Sequence, residues 1–298
     1  MWIVLFLFLF AFLSFVPNTF PFQVRSFPHR PPSPPALRGF HFPSIQDSDS
    51  QSHHLIIVPG HAALKIEQLK EALHSDSAWY LLPYQLHQSF PHIISSHIQR
   101  GISLLQESPE KNTTLIFSGG QTRRDVGPIS EAASYYYLAL QNQWIPPQDL
   151  ITLKNKIYLE ENARDSYENL LFSICRYKEI NNHYPTKISI VGFYFKEKRY
   201  LELHGRAIRF PPQNLKYYGL VPNKDSLFDA RRAEEGESLT LKEFTEDMYA
   251  CHTESLRRKR NTRNPFLRTI PYELSCPELK ELLTWCGPEL FNGPLPWS

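Results

Sequence analysis

The chain has 298 residues, 32 basic against 30 acidic side chains, and 42% apolar residues. That composition supports one large packed domain and excludes a polyanion binder driven by bulk charge, so no nucleic-acid partner is expected. Four cysteines are too few for a disulfide scaffold, while 25 prolines are an excess that points to an extended segment.

Residues 1–24 carry no charged side chain, and Trp2 to Val16 is apolar except for Ser14. A membrane-spanning helix needs about 20 apolar residues, and extending this run that far crosses Pro17 and Pro21. The length suits a signal sequence, but a basic start and a small-residue cleavage site are both missing. An uncleaved signal anchor is therefore favoured over a removed signal peptide. The expected location is a secretory-pathway membrane, endoplasmic reticulum or Golgi, with a lumenal domain; the alternative is secretion after cleavage. The sequon Asn112-Thr113-Thr114 would then be open to glycosylation. Arg25, Arg30 and Arg38 follow the apolar run and argue weakly for the opposite sidedness. Residues 25–52 read as a proline-rich linker that cannot form a core.

From residue 53 short apolar runs alternate with amphipathic stretches. Leu55–Val58 predicts a buried strand ending at Pro59-Gly60-His61. A helix over about 87–107 follows from Phe90, Ile93, Ile94, Ile98, Ile102 and Leu105 at helical spacing. Leu115–Phe117 is the next strand, broken by Ser118-Gly119-Gly120. Ser130 reads as the N-cap of a helix to about 141, with Glu131 in its first turn. A strand is expected around Leu150–Leu153, a helix over 161–180, a strand over Lys187–Phe193, a helix over Lys196–Ala207 and a strand over Leu215–Leu220. The whole is an α/β domain over 53–222 with a mainly parallel sheet covered on both faces. Ligands of such sheets bind beyond the C-terminal strand ends. Residues 223–298 form a C-terminal helical extension, with helices at Leu239–Arg258 and Pro277–Cys286.

Polar residues collect where the strands end. Gly60, Gly119 and Gly120 are expected to bring backbone N–H groups to an anion, helped by the helix start at Ser130. The pattern is neither G-x-G-x-x-G nor a Walker loop. In Glu160 to Asn169, a helical reading places Glu161, Asp165 and Asn169 on one face. Lys196 and Arg199, three apart, face one pocket and suit phosphate or carboxylate. Ser118 is a possible nucleophile with His61 or His204 as base, although no G-x-S-x-G elbow surrounds it. His87, His92 and His97 do not share a helical face, and no Cys-x-x-Cys exists, so no metal site is expected. Cys175 falls on an apolar helix face, and Cys276 and Cys286 are the pair considered for a disulfide.

This order of motifs resembles the YdcF-like (SanA-like) domain of unknown function, most closely its fungal branch. The likeness rests on Ser118-Gly119-Gly120, Ser130-Glu131-Ala132 and the stretch Glu160, Asp165, Ser166, Glu168, Asn169. It implies a Rossmann-like three-layer sandwich over about 53–222. It implies ligand-binding positions at Gly60, Ser118, Gly119, Gly120, Ser130, Glu131, Ser166, Asn169, Lys196 and Arg199. Bacterial members tend to carry His-x-x-Arg where this chain has Lys196 to Arg199, so that histidine's role does not transfer to Lys196, and His61 or His204 would have to stand in for it.

Two function classes remain. One is an enzyme of envelope or glycan metabolism acting on a small anionic, nucleotide-like or sugar-phosphate ligand, with Glu160, Glu168 and His61 as the candidate acid or base groups. The other is a non-catalytic ligand-binding domain built on the same pocket. No cofactor is identified. The basic run Arg257-Arg258-Lys259-Arg260 reads as helix C-terminal charge, or as a lipid contact if the domain is cytosolic.

Overall fold

A computed structural model describes residues 52–110, 112–222 and 226–298. The expected apolar segment, nearly all of the proline-rich linker and the start of the polar stretch after 222 lie outside the described residues. The strands in chain order are β1 (His53–Pro59), β2 (Ala63–Leu64), β3 (Trp79–Tyr80), β4 (Asn112–Ser118), β5 (Ile157–Glu160), β6 (Lys187–Phe193) and β7 (Leu215–Leu220). β2 and β3 make a small antiparallel ribbon. The other five form one parallel sheet in the order β5-β4-β1-β6-β7.

That order is the Rossmann order, with the strand sequence reversing between β1 and β6. The central strands are apolar on both faces. Leu55 and Ile57 of β1 pack with Ile188 and Ile190 of β6 against α4 (Ser166–Asn181). Ile56 and Val58 look the other way, with Leu115 and Phe117, toward α1 (Phe90–Glu107) and α2 (Glu131–Gln141). Period-2 alternation thus builds two cores, one per face, which is the three-layer sandwich.

The C-terminal region joins the first of these cores. Phe244, Leu256, Tyr272, Leu282 and Phe291 pack with Leu170 and Ile174 of α4. The extension belongs to the same compact unit as the sheet.

Several elements differ from the sequence reading. Leu150–Lys154 is a helix, α3, and the strand beside β4 is β5, a few residues later. A short apolar run has no period long enough to separate helix from strand, and sheet pairing decides. Residues 161–165 are not helical; Asp165 is the N-cap of α4, its side chain accepting the Glu168 N–H. Glu161 therefore does not share a helical face with Asp165 and Asn169. The long helix expected after Leu239 is two: α6 (Ala230–Glu246) and α7 (Glu254–Thr262). Between them Asp247 accepts the N–H groups of Cys251, His252 and Thr253, which stops α6 and turns the chain. The last expected helix is shorter: α8 (Tyr272–Ser275), a 3₁₀ turn at Pro277–Leu279, then α9 (Lys280–Leu283).

Helix formation after β6 also departs from a simple α-helix. Residues 194–207 are continuously helical, but Tyr194–Lys196 is 3₁₀, Arg199–His204 is a π-turn, and α5 (Gly205–Ala207) closes the segment.

The disulfide joins Cys251 to Cys286, across a separation of 35 residues, and not Cys276 to Cys286. Cys276 is buried and free, as is Cys175 in the α4 core. By loop-closure entropy, breaking the bond with Cys251→Ser or Cys286→Ser is expected to cost about 2–4 kcal/mol. Urea unfolding of each variant measures that loss. Thiol titration of the denatured, unreduced protein is expected to find the two free cysteines only.

Candidate functional site

A cavity of about 580 Å³ opens at the point where the strand order reverses, beyond the ends of β1 and β6. Its size suits a small organic ligand. The loop after β1 supplies Gly60 and His61; the end of β6 and the 3₁₀ turn after it supply Phe193 and Lys196; α2 supplies Glu131; the start of α4 supplies Asp165, Ser166 and Asn169. The extension closes it. Glu237 of α6, together with Lys259 and Arg263 at the end of α7, complete the wall.

Of the residues expected at the site, Gly60, His61, Glu131, Ser166, Asn169, Lys196 and Arg199 line this cavity. Ser118, Gly119, Gly120, Ser130, Glu160 and Glu168 do not, and each has another task.

The glycine turn does not cradle an anion. Its N–H groups are spent on carbonyls: Gly60 to Ser118 at 2.6 Å, Gly119 to Glu160 at 2.9 Å and Gly120 to Ala163 at 2.8 Å. The start of α2 is spent likewise, with Glu131 N–H to Gly120 O, Ala132 N–H to Gly119 O, and Ala133 N–H to the Ser130 hydroxyl. What the glycines provide is room. A Cβ on Gly60 would stand 2.6 Å from the Glu131 Cβ, and one on Gly119 2.9 Å from it. Glu131 is thereby laid across the turn, its carboxylate accepting the Thr122 hydroxyl at 2.7 Å.

Glu160 sits beneath the cavity, fully buried. It accepts the N–H groups of Asn162 (2.7 Å) and Ala163 (3.2 Å) and the Tyr272 hydroxyl (3.0 Å), and the Ser118 hydroxyl lies 2.8 Å away. Ser118 also lies 2.9 Å from Asn169 Oδ1. Burial pushes the Glu160 carboxyl up to about 7 against these donors. It is a shifted carboxylate, but it has no face on the cavity.

Glu168 is committed to arginines. Arg164 donates to it through Nη2 at 2.5 Å and Nε at 2.9 Å, and Arg260 approaches to 3.3 Å. Arg260 also pairs with Asp165 at 2.6 Å, fixing α7 to the start of α4. Burial opposes ionisation of Asp165, but this guanidinium wins and holds its carboxyl low.

Within the cavity the cations are less evenly matched. Arg199 is buried and pairs with buried Glu237 at 2.8 Å, which pins α6 over the opening. Lys196, Lys259 and Arg263 form no ion pair among the described residues. The Lys196 ammonium lies 3.5 Å from His61 Nδ1 and over the Phe193 ring. Loss of water, then the neighbouring Arg199 charge, pushes Lys196 down to about 7. Lys259 is pushed down to about 8 by burial and by Arg263 and Arg199. His61 is held well below its usual range by burial and by Lys196, so it is neutral. Beside Lys196 stands an aromatic wall of Phe193, Phe195 and Phe228, their planes within 25° of one another.

Glu237, Lys259 and Arg263 escaped the sequence reading as site residues. Lys259 lies in the basic run that read as helix-end charge, and it stands four residues before Arg263, one turn apart on α7. That spacing was the available signal.

The fold and the site define a Rossmann-like α/β protein whose switch-point cavity is roofed by its own C-terminal extension. The chain is 34% identical over 234 residues, 65% of its own length and 76% of the other's, to the uncharacterized protein YOR238W of Saccharomyces cerevisiae. It belongs to the family of that yeast protein. No family model matches the chain. No solved structure matches it either.

The Glu160 carboxyl carries a testable pH dependence. Its folded pKa, about 7, lies above the ordinary carboxylate value, so the folded state holds the proton more tightly. Its contribution to stability is complete below the unfolded pKa and is lost as pH rises through about 7. The loss amounts to about 3 kcal/mol. Urea unfolding between pH 4.5 and 8 is expected to show this decline, and Glu160→Gln to flatten it while lowering stability throughout.

Proposed function

We propose that this chain is a YdcF-like protein of the secretory pathway that binds a small anionic ligand, of nucleotide or sugar-phosphate character, in the switch-point cavity. The observation that carries the reading is the convergence on one cavity of Lys196, Lys259 and Arg263, which form no ion pair among the described residues, the Glu237 and Asp165 carboxylates of the same cavity being taken by Arg199 and Arg260. Three half-buried cations in mutual repulsion are costly, and an anion seated among them removes the cost. The aromatic wall beside Lys196 suits a flat or apolar moiety joined to that anion. The Cys251–Cys286 bond supports an oxidising compartment, and so the expected lumenal position of the domain. Membrane attachment through the N-terminal apolar segment belongs to the same proposal; among the described residues no helix is long and apolar enough to cross a membrane.

Titration calorimetry of the full chain with inorganic phosphate, nucleotides, nucleotide sugars and sugar phosphates tests the ligand reading. Lys196→Ala and Arg263→Ala are each expected to weaken binding about 10- to 100-fold, the worth of one charge-assisted contact. Because burial and the Arg199 charge push Lys196 down to about 7, binding of an anion at pH 8 is expected to take up a proton. The observed heat would then vary with the ionisation enthalpy of the buffer. Absence of binding by every ligand class, or affinity indifferent to both substitutions, would overturn the proposal.

A further inference from the structure

We infer that Ser166 is a nucleophile and His204 its general base, and that the cavity hydrolyses a carboxylic ester whose leaving or acyl part carries negative charge. The charge of the substrate rests on the anion-binding reading; the nucleophile does not.

Ser166 is the first residue of α4 and lines the cavity. Its hydroxyl lies 2.7 Å from His204 Nε2, the geometry of a nucleophile and its base. His204 lies behind it, fully buried. The imidazole is oriented by rings on three sides: Phe244 at 4.7 Å, Tyr200 at 5.5 Å and Tyr167 at 5.9 Å. Aromatic packing thus fixes the ring's direction, one of the two tasks of a triad carboxylate. For the other, steadying the imidazolium, only the Asp165 charge helps, against burial and the Arg199 charge, which hold His204 well below its usual range. His204 Nδ1 is buried and has no partner among the described residues, a cost that a purely structural histidine would normally avoid.

The π-turn explains how the base reaches this position. In an α-helix, residues five apart are rotated by about 140°. A π-turn closes at five residues, so Arg199 and His204 come to the same side. Arg199 reaches the cavity, and His204 reaches the back of Ser166.

Stabilisation of a developing oxyanion is available at the same helix start. Asp165 supplies acceptors for the Glu168 and Asn169 N–H groups through its side chain and carbonyl. The N–H groups of Ser166 and Tyr167 have no partner among the described residues. Paired backbone N–H groups at a helix start are one form such a site takes.

The step balances without a further reactant except water. Ser166 Oγ attacks the ester carbon while its proton passes to His204 Nε2. The C–O bond to the leaving group breaks, and that oxygen takes the proton from the imidazolium. Water then attacks the acyl-serine, gives its proton to His204, and Ser166 departs with it. Lys196, Lys259 and Arg263 hold the substrate's charged group, which places the ester against Ser166.

The test uses the full chain and a fluorophosphonate probe. An activated serine attacks the phosphorus, the P–F bond breaks, fluoride leaves, and the proton goes to the histidine. Intact mass is expected to show one adduct, and peptide mapping to place it on Ser166. Ser166→Ala is expected to abolish the adduct, and His204→Gln to slow its formation about 100-fold or more. The mapping on the unaltered protein decides the question even if either variant folds poorly. No adduct, or an adduct elsewhere, would mean that Ser166 only satisfies a buried imidazole, and the inference falls. Hydrolysis of mono-p-nitrophenyl succinate against p-nitrophenyl acetate reads the charge separately. A kcat/KM about tenfold higher for the anionic ester supports both readings. Labelling of Ser166 with no such preference keeps the nucleophile and removes the anionic substrate.

Discussion

One buried carboxyl, that of Glu160, ties together three parts of the chain that are far apart in sequence. Its oxygens meet the Ser118 hydroxyl at the end of β4, the N–H groups of Asn162 and Ala163 on the way into α4, and the Tyr272 hydroxyl of the extension. A carboxyl without such donors is expensive in a dry interior. The strand end, the 161–165 turn and the extension must therefore all be in place for any of them to be comfortable. The cavity depends on this. The turn places Asp165 and Ser166, and Asp165 anchors Arg260 of α7, whose neighbours Lys259 and Arg263 form the roof.

The glycine-rich strand end serves a different purpose from the one its composition suggests. In dinucleotide-binding folds such a turn offers free N–H groups to a phosphate. Here every one of those groups is already bonded inside the protein, and the space above the glycines holds Glu131. The charged groups that line the cavity are instead side chains on helical segments, Lys196 after β6 and Lys259 and Arg263 at the end of α7.

The sheet was legible because its strands are short, bounded and mainly apolar, as in Leu55–Val58 and Ile188–Phe193. So was the convergence of Lys196 and Arg199, since three-residue spacing puts them together in almost any helical form. The motifs around Ser118 and Glu160 marked a real cluster, but a sequence does not show which side of the strand end faces the cavity. Glu160 was buried below the floor and Glu168 was taken by Arg164 and Arg260. Glu237, Lys259 and Arg263 gain their meaning only from tertiary folding, when α6 and α7 bend back over the sheet. The break at Asp247 that permits this bend depends on three N–H groups finding one carboxylate. The pairing of Cys251 with Cys286 follows from the same bend, and no spacing rule leads to it.

The π-turn at Arg199–His204 has an evolutionary consequence. A π-turn is an α-helical turn that holds one extra residue, so it can be gained or erased by a single-codon insertion or deletion without disturbing the strands on either side. Deleting one residue there would return the helix to ordinary register and swing His204 away from Ser166, while Lys196 stayed where it is. Descendants of one ancestor could thus share this fold and its basic cavity while differing by one codon in whether an imidazole stands behind the serine.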